Sequence, residues 1–342
     1  MIKELQDKGV YFLADSPSFS YVATCLADGL NQLGIPVFAN CNYTEPLVTD
    51  FCFVQSADPQ QRNQAACVVV DLQDTRQYLH QIVRFEPPHP CTFLLCMQDE
   101  AGTFCADGMT AMLAAHENRF WRLQGVRIPI GFGLSSAMIR KTSGFDANKP
   151  RTDRILYNFR PSLNQHLRAA LDLSLLPRLE KLLAVHREQT APGRWNDEYY
   201  RLLGSSLGCL AYGGTFGQDF SQNDYLMQNE RFRTFMGCID IQRDPVVLRW
   251  DSWRFWEALV SGCLAIQLDF NLYGFELPVM PVNWQHYVGL NLADLDLDLE
   301  RMIDERVRLH EIAWNGRQWA IEHYSPVAVA RRFVAVFEGF SR

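Results

Sequence analysis

Several common features are missing from this chain, and each absence narrows the classes of protein that it can belong to. The ten cysteines include no C-x-x-C pair, and several lie in apolar, strand-like runs such as ACVVVD and GCLAIQLD. We therefore expect buried free thiols rather than disulfides or a zinc site. No apolar run approaches the roughly 20 residues that span a bilayer, and the N-terminus MIKELQDKGVYFLAD lacks the pattern of a signal peptide. These absences predict a cytoplasmic protein without a transmembrane segment.

Basic charge is also scarce. The formal net charge is -7, from 32 Lys and Arg residues against 39 Asp and Glu. The basic residues are scattered along the chain, so no basic face indicates a nucleic-acid partner. A negative total still permits an anionic ligand, because a few local donors can outweigh the overall field.

Hydrophobic residues, in contrast, are plentiful. They make up 48% of 342 residues, and a chain of this length exceeds the size at which a single core stops growing. Two domains are therefore expected. The segment KTSGFDANKPRTDR (141–154) is charged, contains Gly and Pro and has no apolar period. It is the predicted boundary between a first domain, residues 1–150, and a second domain that begins at residue 151.

Short apolar runs alternate with helical patterns in both halves of the chain. VYFLAD, IPVFAN, ACVVVDL, CTFLLCM and IPIGFGL read as strands of the first half, and SYVATCLADGLNQLG and GMTAMLAAHENRF as helices. RILYNF, LGCLAYGG and GCLAIQLD are the strands of the second half, and DLERMIDERVRLHEIAWNGRQWAIEHY is a closing helix that we expect to bend near Gly316. Continuous apolar strands separated by helices are typical of buried parallel sheets. The predicted fold is α/β, with two doubly wound, Rossmann-like domains that bind ligands near the carboxyl ends of their strands.

The least ordinary stretch is RWDSWRFWEALVSGCLAIQLD, residues 249–269. On a helical wheel its aromatic and aliphatic residues share one arc, and Arg254, Glu257 and Ser261 share the opposite face. One interpretation is a packed helix with an ion pair on its outer face. The other is a nucleotide site. Ser252 can cap the helix, whose N-terminus favours an anion, Arg254 can donate to phosphate oxygens, and Glu257 can accept from both hydroxyls of a ribose.

The same stretch also resembles a known family. DSWRFWEALVSGCLAI resembles the part of GT-B glycosyltransferases in which a helix bearing Arg and Glu is followed by Gly and a strand. RWNDEYYRLLGSSLGCLAYGGTF resembles the corresponding part of exostosin-like members, and NGRQWAIEHYSPVAVARRF is similar to their closing helices. The resemblance covers Arg154 to Phe333. It implies that the second domain, 151–325, binds a nucleotide-sugar and that a closing helix, 326–342, packs back on an acceptor-side first domain.

The resemblance also implies roles for particular residues. Glu257 would hold the donor ribose, and Arg254 with Ser252 would face the diphosphate. Gly213 and Gly214 would let backbone N–H groups approach the same phosphates, although a plain turn after a strand explains them equally well. Arg160 in YNFRPS would reach the diphosphate from the other side, or it is a surface Arg ahead of a helix.

Transfer of a sugar to a hydroxyl acceptor needs a base when the enzyme inverts the linkage, and the first domain offers several candidates. Asp15 ends the first strand and is ranked first, although it can also cap the next helix. Asp99 and Glu100 end another strand. His116, in the predicted helix GMTAMLAAHENRF, is the remaining candidate, although a lone histidine on a helix is more often structural. Sugar transfer of this kind requires no metal or other cofactor. The acidic segment DLDLD (294–298) is interpreted as a loop or the approach to a helix rather than as a metal site.

One departure from the family pattern is notable. Arg249 stands at the spacing where many retaining members carry a Glu, with Asp251 nearby.

The leading hypothesis is a metal-independent, hexosyltransferase-like enzyme that uses a nucleotide-diphosphate sugar. The alternatives are a non-catalytic nucleotide- or sugar-binding protein of the same fold and a nucleotide-sugar epimerase. An NAD-dependent oxidoreductase is disfavoured, because no G-x-G-x-x-G follows the first strand of either domain.

Overall fold

The computed structural model describes residues 2–14, 19–44, 51–53, 60–72, 89–96, 109–120, 125–158, 166–187, 197–216 and 247–340. Within these ranges the helices are α1 (Ile2–Lys8), α2 (Tyr21–Gln32), α3 (Gln61–Gln64), α4 (Ser136–Thr142), α5 (His166–Ser174), α6 (Leu176–Leu182), α7 (Asp197–Ser205), α8 (Trp253–Val260), α9 (Leu295–Asp304), α10 (Leu309–Tyr324) and α11 (Pro326–Phe340).

The first sheet is parallel and has the strand order β2-β1-β5-β6-β7-β8. Its strands are β1 (Val10–Ala14), β2 (Val37–Ala39), β5 (Cys67–Leu72), β6 (Thr92–Cys96), β7 (Ala111–Ala114) and β8 (Arg127–Pro129). Every described residue of β6 and β7 is buried. Continuous burial is what a strand covered on both faces requires, and it explains the uninterrupted apolar runs.

The second sheet is also parallel and has the order β10-β9-β11-β14-β15. Its strands are β9 (Thr152–Tyr157), β10 (Ala184–Arg187), β11 (Ser206–Leu210), β14 (Leu264–Leu268) and β15 (Val288–Leu290). Two antiparallel pairs lie outside the large sheets: β3 (Tyr43–Thr44) with β4 (Cys52–Phe53), and β12 (Thr215–Phe216) with β13 (Val247–Leu248). The predicted α/β class with two parallel sheets is confirmed.

The chain forms two compact units. One contains residues 1–117, 122–140 and 321–342, and the other contains 118–121 and 141–320. The chain therefore passes between units after residues 140 and 320, where the sequence analysis placed boundaries at 150 and 325. Within the first unit α11 packs on α2, and a Cβ on Gly29 would come within 2.9 Å of the Ala330 Cβ.

Two predictions about individual elements are wrong, and one strand was not predicted. GMTAMLAAHENRF is not a helix, because its apolar part forms β7 between β6 and β8. The long closing segment does not bend at Gly316. It breaks at a short 3-10 turn, Arg306–Arg308, and α10 runs through Gly316 without interruption. A Cβ at Gly316 would lie 2.1 Å from the His286 carbonyl oxygen and 2.7 Å from Leu259 Cδ2, so close packing against the backbone at His286 and against α8 accounts for this glycine. The strand β10 was not predicted.

Candidate functional site

Several polar groups gather at the carboxyl edge of the second sheet. Since the strands are parallel, β9, β11 and β14 end at this edge, and α8 begins there because it runs back toward the start of β14. Asn158 follows β9 directly, and Gly213 and Gly214 follow β11. This edge is where ligands bind in doubly wound sheets.

The start of α8 is fixed by two capping contacts. Ser252 has an extended backbone (φ -145°, ψ 133°), and its side chain accepts a hydrogen bond from the Arg254 N–H at 3.3 Å. Asp251 Oδ1 accepts from the Ser252 N–H at 2.9 Å and from Trp256 Nε1 at 2.7 Å. The predicted cap at Ser252 is confirmed. Asp251 also joins this cap to the indole ring of Trp256 in the first turn of α8.

Glu257 lies one turn further along and is only 5% exposed. The Tyr199 hydroxyl, from α7, donates to Glu257 Oε2 at 2.8 Å. Burial raises the pKa of the Glu257 carboxyl, while the nearby Arg254 charge and the Tyr199 hydrogen bond oppose that rise. Glu257 Oε1 accepts no hydrogen bond from a described residue. The predicted alternative of an ion pair on the outer face of α8 is therefore wrong, since Glu257 and Ser261 are both buried.

Arg254 connects α8 to the end of β9. Its Nε donates to the backbone carbonyl oxygen of Asn158. Asn158 itself is 2% exposed, and its side-chain oxygen Oδ1 has no hydrogen-bond partner among the described residues. A buried amide oxygen is costly to leave unpaired, so this acceptor calls for a hydrogen-bond donor that the described residues do not supply.

The glycine pair has a structural reason of its own. Gly214 has φ +128°, and a Cβ there would lie 2.6 Å from the Leu248 carbonyl oxygen in β13. The Leu167 N–H donates to the Gly214 carbonyl at 3.1 Å, which sets the start of α5 against the same turn. These contacts explain Gly214 as a tight turn that packs on a neighbouring strand. Phosphate binding by Gly213 and Gly214 stays a prediction.

The remaining predicted site residues divide into two groups. Arg160, Asp15, Asp99 and Glu100 lie outside the described residues, so their roles stay predictions. His116 is described, but it does not lie in a helix as predicted. It follows the carboxyl end of β7, is 6% exposed and packs edge-on against Phe132 with ring centroids 5.2 Å apart. A catalytic role for His116 stays a prediction.

Sequence reasoning missed two residues of this group, Tyr199 and Asn158. Asn158 lies near the end of the predicted strand RILYNF, but nothing in the sequence says that Asn158 or Tyr199 meets α8. The available signal was chemical: Tyr199 interrupts a polar helix start, and Asn158 ends an apolar strand. Neither signal identifies a partner.

No cluster of three or more His, Cys, Asp or Glu residues suitable for a metal occurs in the described part of the chain. In the DLDLD segment, Asp294 caps α9 by accepting from the Leu297 N–H at 3.3 Å, and Asp298 accepts from the Asn291 N–H at 2.6 Å. The predicted helix approach is confirmed. Within the same described ranges, no helix has the length and apolar character needed to cross a bilayer.

Comparison with known proteins gives a fold but no family. No family model and no curated protein matches the chain. An alpha-glucosyltransferase in complex with UDP-glucose and DNA containing an abasic site aligns with a TM-score of 0.55 and 8% identity, covering 96% of this chain and 98% of that chain. An alpha-glucosyltransferase in complex with UDP aligns with a TM-score of 0.53 and 8% identity, covering 96% and 99%. AviGT4, a glycosyltransferase involved in avilamycin A biosynthesis, gives a TM-score of 0.49 and 13% identity, covering 96% and 97%.

At these identities the likeness establishes the fold alone. The chain has the two-sheet α/β fold of GT-B glycosyltransferases, as the resemblance implied. The exostosin-like character of its second half stays a prediction.

Proposed function

We propose that the protein is a glycosyltransferase that moves a sugar, expected to be a hexose, from a nucleotide-diphosphate donor to a hydroxyl acceptor. The observation that carries the proposal is the Glu257 carboxylate. It is buried beside Arg254, one oxygen is held by Tyr199, and the other takes no hydrogen bond from a described residue. A fixed carboxylate with an open oxygen, placed at the carboxyl edge of the sheet, is suited to accept the hydroxyl protons of a ribose.

The charges around Glu257 suit the departing diphosphate. When the bond from the anomeric carbon to the diphosphate breaks, negative charge builds on the leaving phosphate oxygens. The Arg254 guanidinium and the N-terminus of α8 place positive charge where those oxygens would lie, and donors fixed in advance stabilise such charge without reorganising. In this proposal Arg254 and Ser252 face the diphosphate, Gly213, Gly214 and Arg160 complete the phosphate site, and no metal or other cofactor takes part.

The acceptor half of the reaction rests on the first sheet. For an inverting reaction, Asp15, Asp99 or Glu100 would take the proton of the acceptor hydroxyl, with His116 as the described alternative. The resemblance and the strand-end positions of these residues support that assignment. The acceptor is expected not to be a nucleic acid, because the chain carries a net charge of -7. The fold relatives solved with DNA do not carry that partner over to this chain at 8% identity.

Thermal unfolding with a panel of nucleoside diphosphates tests the donor half directly. A ligand at a hundred times its Kd adds about 2.7 kcal/mol to the free energy of unfolding, which gives a readable rise in Tm. One nucleotide should stabilise the wild type, and Glu257→Gln should lose most of that response. Glu300→Gln changes an exposed carboxyl on α9 in the same way and should keep the full response. If no nucleotide stabilises the wild type, the proposal fails.

One observation favours a second candidate, a non-catalytic nucleotide- or sugar-binding protein of the same fold. Arg249, which replaces the expected Glu, has φ +58°, a left-handed conformation that is uncommon for a side chain of this size. The first residue of the family's acidic pair is thus replaced by a cation on an unusual backbone. Nucleotide binding without sugar transfer or hydrolysis, tested with several nucleotide-sugars, would favour this candidate. Interconversion of the nucleotide-sugar in the same assay would instead identify an epimerase.

A further inference from the structure

A cavity lies at the edge of the second sheet opposite the candidate donor site. It has a volume of about 440 Å³ and is formed by α7 and the segment before β9, with Phe145, Arg151 and Gly204 among its lining residues. Because β9 begins at Thr152 and β11 at Ser206, this is the amino edge of the sheet. The cavity is therefore separate from the candidate donor site, and its size falls within the range of small-molecule pockets.

The wall of this cavity contains a half-buried positive charge, the Arg151 guanidinium, whose only described hydrogen-bond partners are neutral. Arg151 donates through Nη1 to the carbonyl oxygens of Leu203 at 3.5 Å and Ser206 at 3.3 Å, and through Nη2 to that of Ser261 at 3.1 Å. Burial lowers the pKa of its guanidinium. No described carboxylate forms an ion pair with Arg151. A partly desolvated cation held only by carbonyl dipoles still attracts a counter-anion.

The surroundings add to this excess of positive charge. Arg317, 7% exposed, donates to the carbonyl oxygens of Val260 and Thr142, and the nearby Arg151 charge lowers the pKa of Arg317 in addition to the effect of burial. Burial and Arg151 also lower the pKa of His310. No carboxylate of the described chain appears among the charges that act on Arg151, Arg317 or His310, and the one acidic group that does is the Cys263 thiol beside Arg151.

The cavity lining combines further cations with apolar surface. Lys149 and Arg201 are exposed at its mouth, and neither forms an ion pair with a described carboxylate. Asp146 and Glu198 also line it, which leaves one net positive charge once Arg151 is included. Apolar area comes from the Phe145 ring and from α7. An inorganic ion alone would fill little of this volume, so the chemistry favours an anion attached to an apolar body.

We propose that this cavity is a second ligand site, which binds a small organic anion with a phosphate, sulfonate or carboxylate group on an aromatic or aliphatic body. The site also has physical connections to the candidate donor site. Tyr199 lines the cavity and donates to Glu257, and Arg151 bonds the carbonyl of Ser261, at the end of the helix that Ser252 begins. Occupancy therefore acts on both elements that hold Glu257.

The binding test uses the fluorescent aromatic anion anilinonaphthalene sulfonate and the full chain. The double variant Lys149→Glu/Arg201→Glu reverses two exposed charges at the mouth without touching the carbonyl contacts of Arg151. It should weaken dye binding at least tenfold. The matched control, Arg178→Glu/Lys181→Glu, makes the same change of charge on α6, away from the cavity, and should bind within twofold of the wild type. Equal dye affinity in the mouth variant and the wild type would overturn the proposal.

Competition identifies the charge and body of the ligand that the cavity binds, and a variant of the donor site separates the two sites. Phenyl phosphate and benzoate should displace the dye, whereas the neutral benzyl alcohol should not. Displacement by benzyl alcohol at the same concentration would contradict the role of charge. Arg254→Gln, which removes the cation of the candidate donor site, should bind the dye within twofold of the wild type, and loss of dye binding in this variant would place the dye at the donor edge and overturn the proposal. Because the dye assay needs no nucleotide, failure of the proposed transferase function leaves its result unchanged.

Discussion

Two helices of this protein, α2 and α8, begin at the carboxyl ends of parallel strands and are capped by a serine, yet the polar groups around the two caps are satisfied in different ways. In the first unit Asp71, fully buried on β5, accepts from the Ser20 N–H at 2.6 Å through Oδ2 and from the Ser20 hydroxyl at 2.7 Å through Oδ1. Both carboxylate oxygens are used inside the protein. We call this arrangement the Ser20 corner.

The Ser252 corner comprises Asn158, Tyr199, Ser252, Arg254 and Glu257. Here the carboxylate has one oxygen bound by Tyr199, and both Glu257 Oε1 and Asn158 Oδ1 lack a hydrogen bond from a described residue. The Asn158 oxygen is buried, and buried polar atoms are nearly always paired in native proteins, so its unmet acceptor needs an explanation. A ligand provides one. We therefore predict that the Ser20 corner serves folding and that the Ser252 corner serves binding.

The largest expected effect follows from removing the carboxylate at the Ser20 corner. Asp71→Ala leaves the Ser20 N–H and hydroxyl without their acceptor. Because hydrogen bonds to charged groups contribute about 1.5–3 kcal/mol each, we expect the free energy of unfolding to fall by about 3 kcal/mol. Glu257→Gln keeps an acceptor for Tyr199 and removes a charge that burial disfavours, so it should cost less than about 1 kcal/mol. Urea unfolding measures both.

Asp71→Asn is the control for this pair, because it keeps one acceptor oxygen and should lose roughly half as much stability as Asp71→Ala. If Asp71→Ala and Glu257→Gln cost the same, the distinction between the two corners is wrong.

A smaller effect is expected from the caps. Ser20 accepts from the Ala23 N–H at 3.1 Å and also donates to Asp71, so Ser20→Ala loses two interactions and should cost about 2 kcal/mol. Ser252 Oγ accepts from the Arg254 N–H, so Ser252→Ala should cost about 1 kcal/mol, the usual value of a cap. Urea midpoints give both values. The threonine variants keep the hydroxyl and should recover most of each loss, and a costlier Ser252→Ala would reverse the order of the two corners.

The sequence predicts the backbone of the Ser252 corner well and its side-chain environment poorly. A serine before an apolar helical period predicts a cap, and the structure has it at Ser252. The helical wheel also separates Glu257 from the apolar arc. It cannot show that this polar face is covered, because the covering group, Tyr199, is 58 residues away in the chain. Arg254 likewise contacts a carbonyl 96 residues away. Long-range contacts of this kind leave no local periodicity.

The misassigned strand β7 has a different cause. AMLA consists of residues with high helix propensity, so local preference favours a helix. Pairing with β6 on one side and β8 on the other, with all four residues buried, outweighs that preference in the folded chain. The same context moves His116 from a helix to a strand end. Propensity is a weak signal wherever a segment is buried on both faces of a sheet.

A third corner, where α9 follows β15, gives the smallest expected effect and tests how far the comparison extends. Asp298 accepts from the Asn291 N–H, yet burial, with smaller contributions from Asp294 and Asp269, raises the pKa of its carboxyl to about 6. The raised value means that the folded protein holds this proton more tightly than the unfolded chain does. Stability from this group is therefore present at low pH and is lost as the pH rises from about 4 to about 6.

Asp298→Asn keeps an oxygen that can accept from Asn291 and removes the titration. Above pH 6 the free energy of unfolding of the variant should exceed that of the wild type by about 1 kcal/mol, a value reduced for the partial exposure of the group. The difference should vanish near pH 4. Urea midpoints across this range measure it. Asp296→Asn, whose side chain is 68% exposed, should follow the wild-type profile. If the stability of Asp298→Asn instead changed with pH in parallel with that of the wild type, the hydrogen bond of Asp298 would outweigh the effect of its burial. This third corner would then be satisfied in the same way as the Ser20 corner.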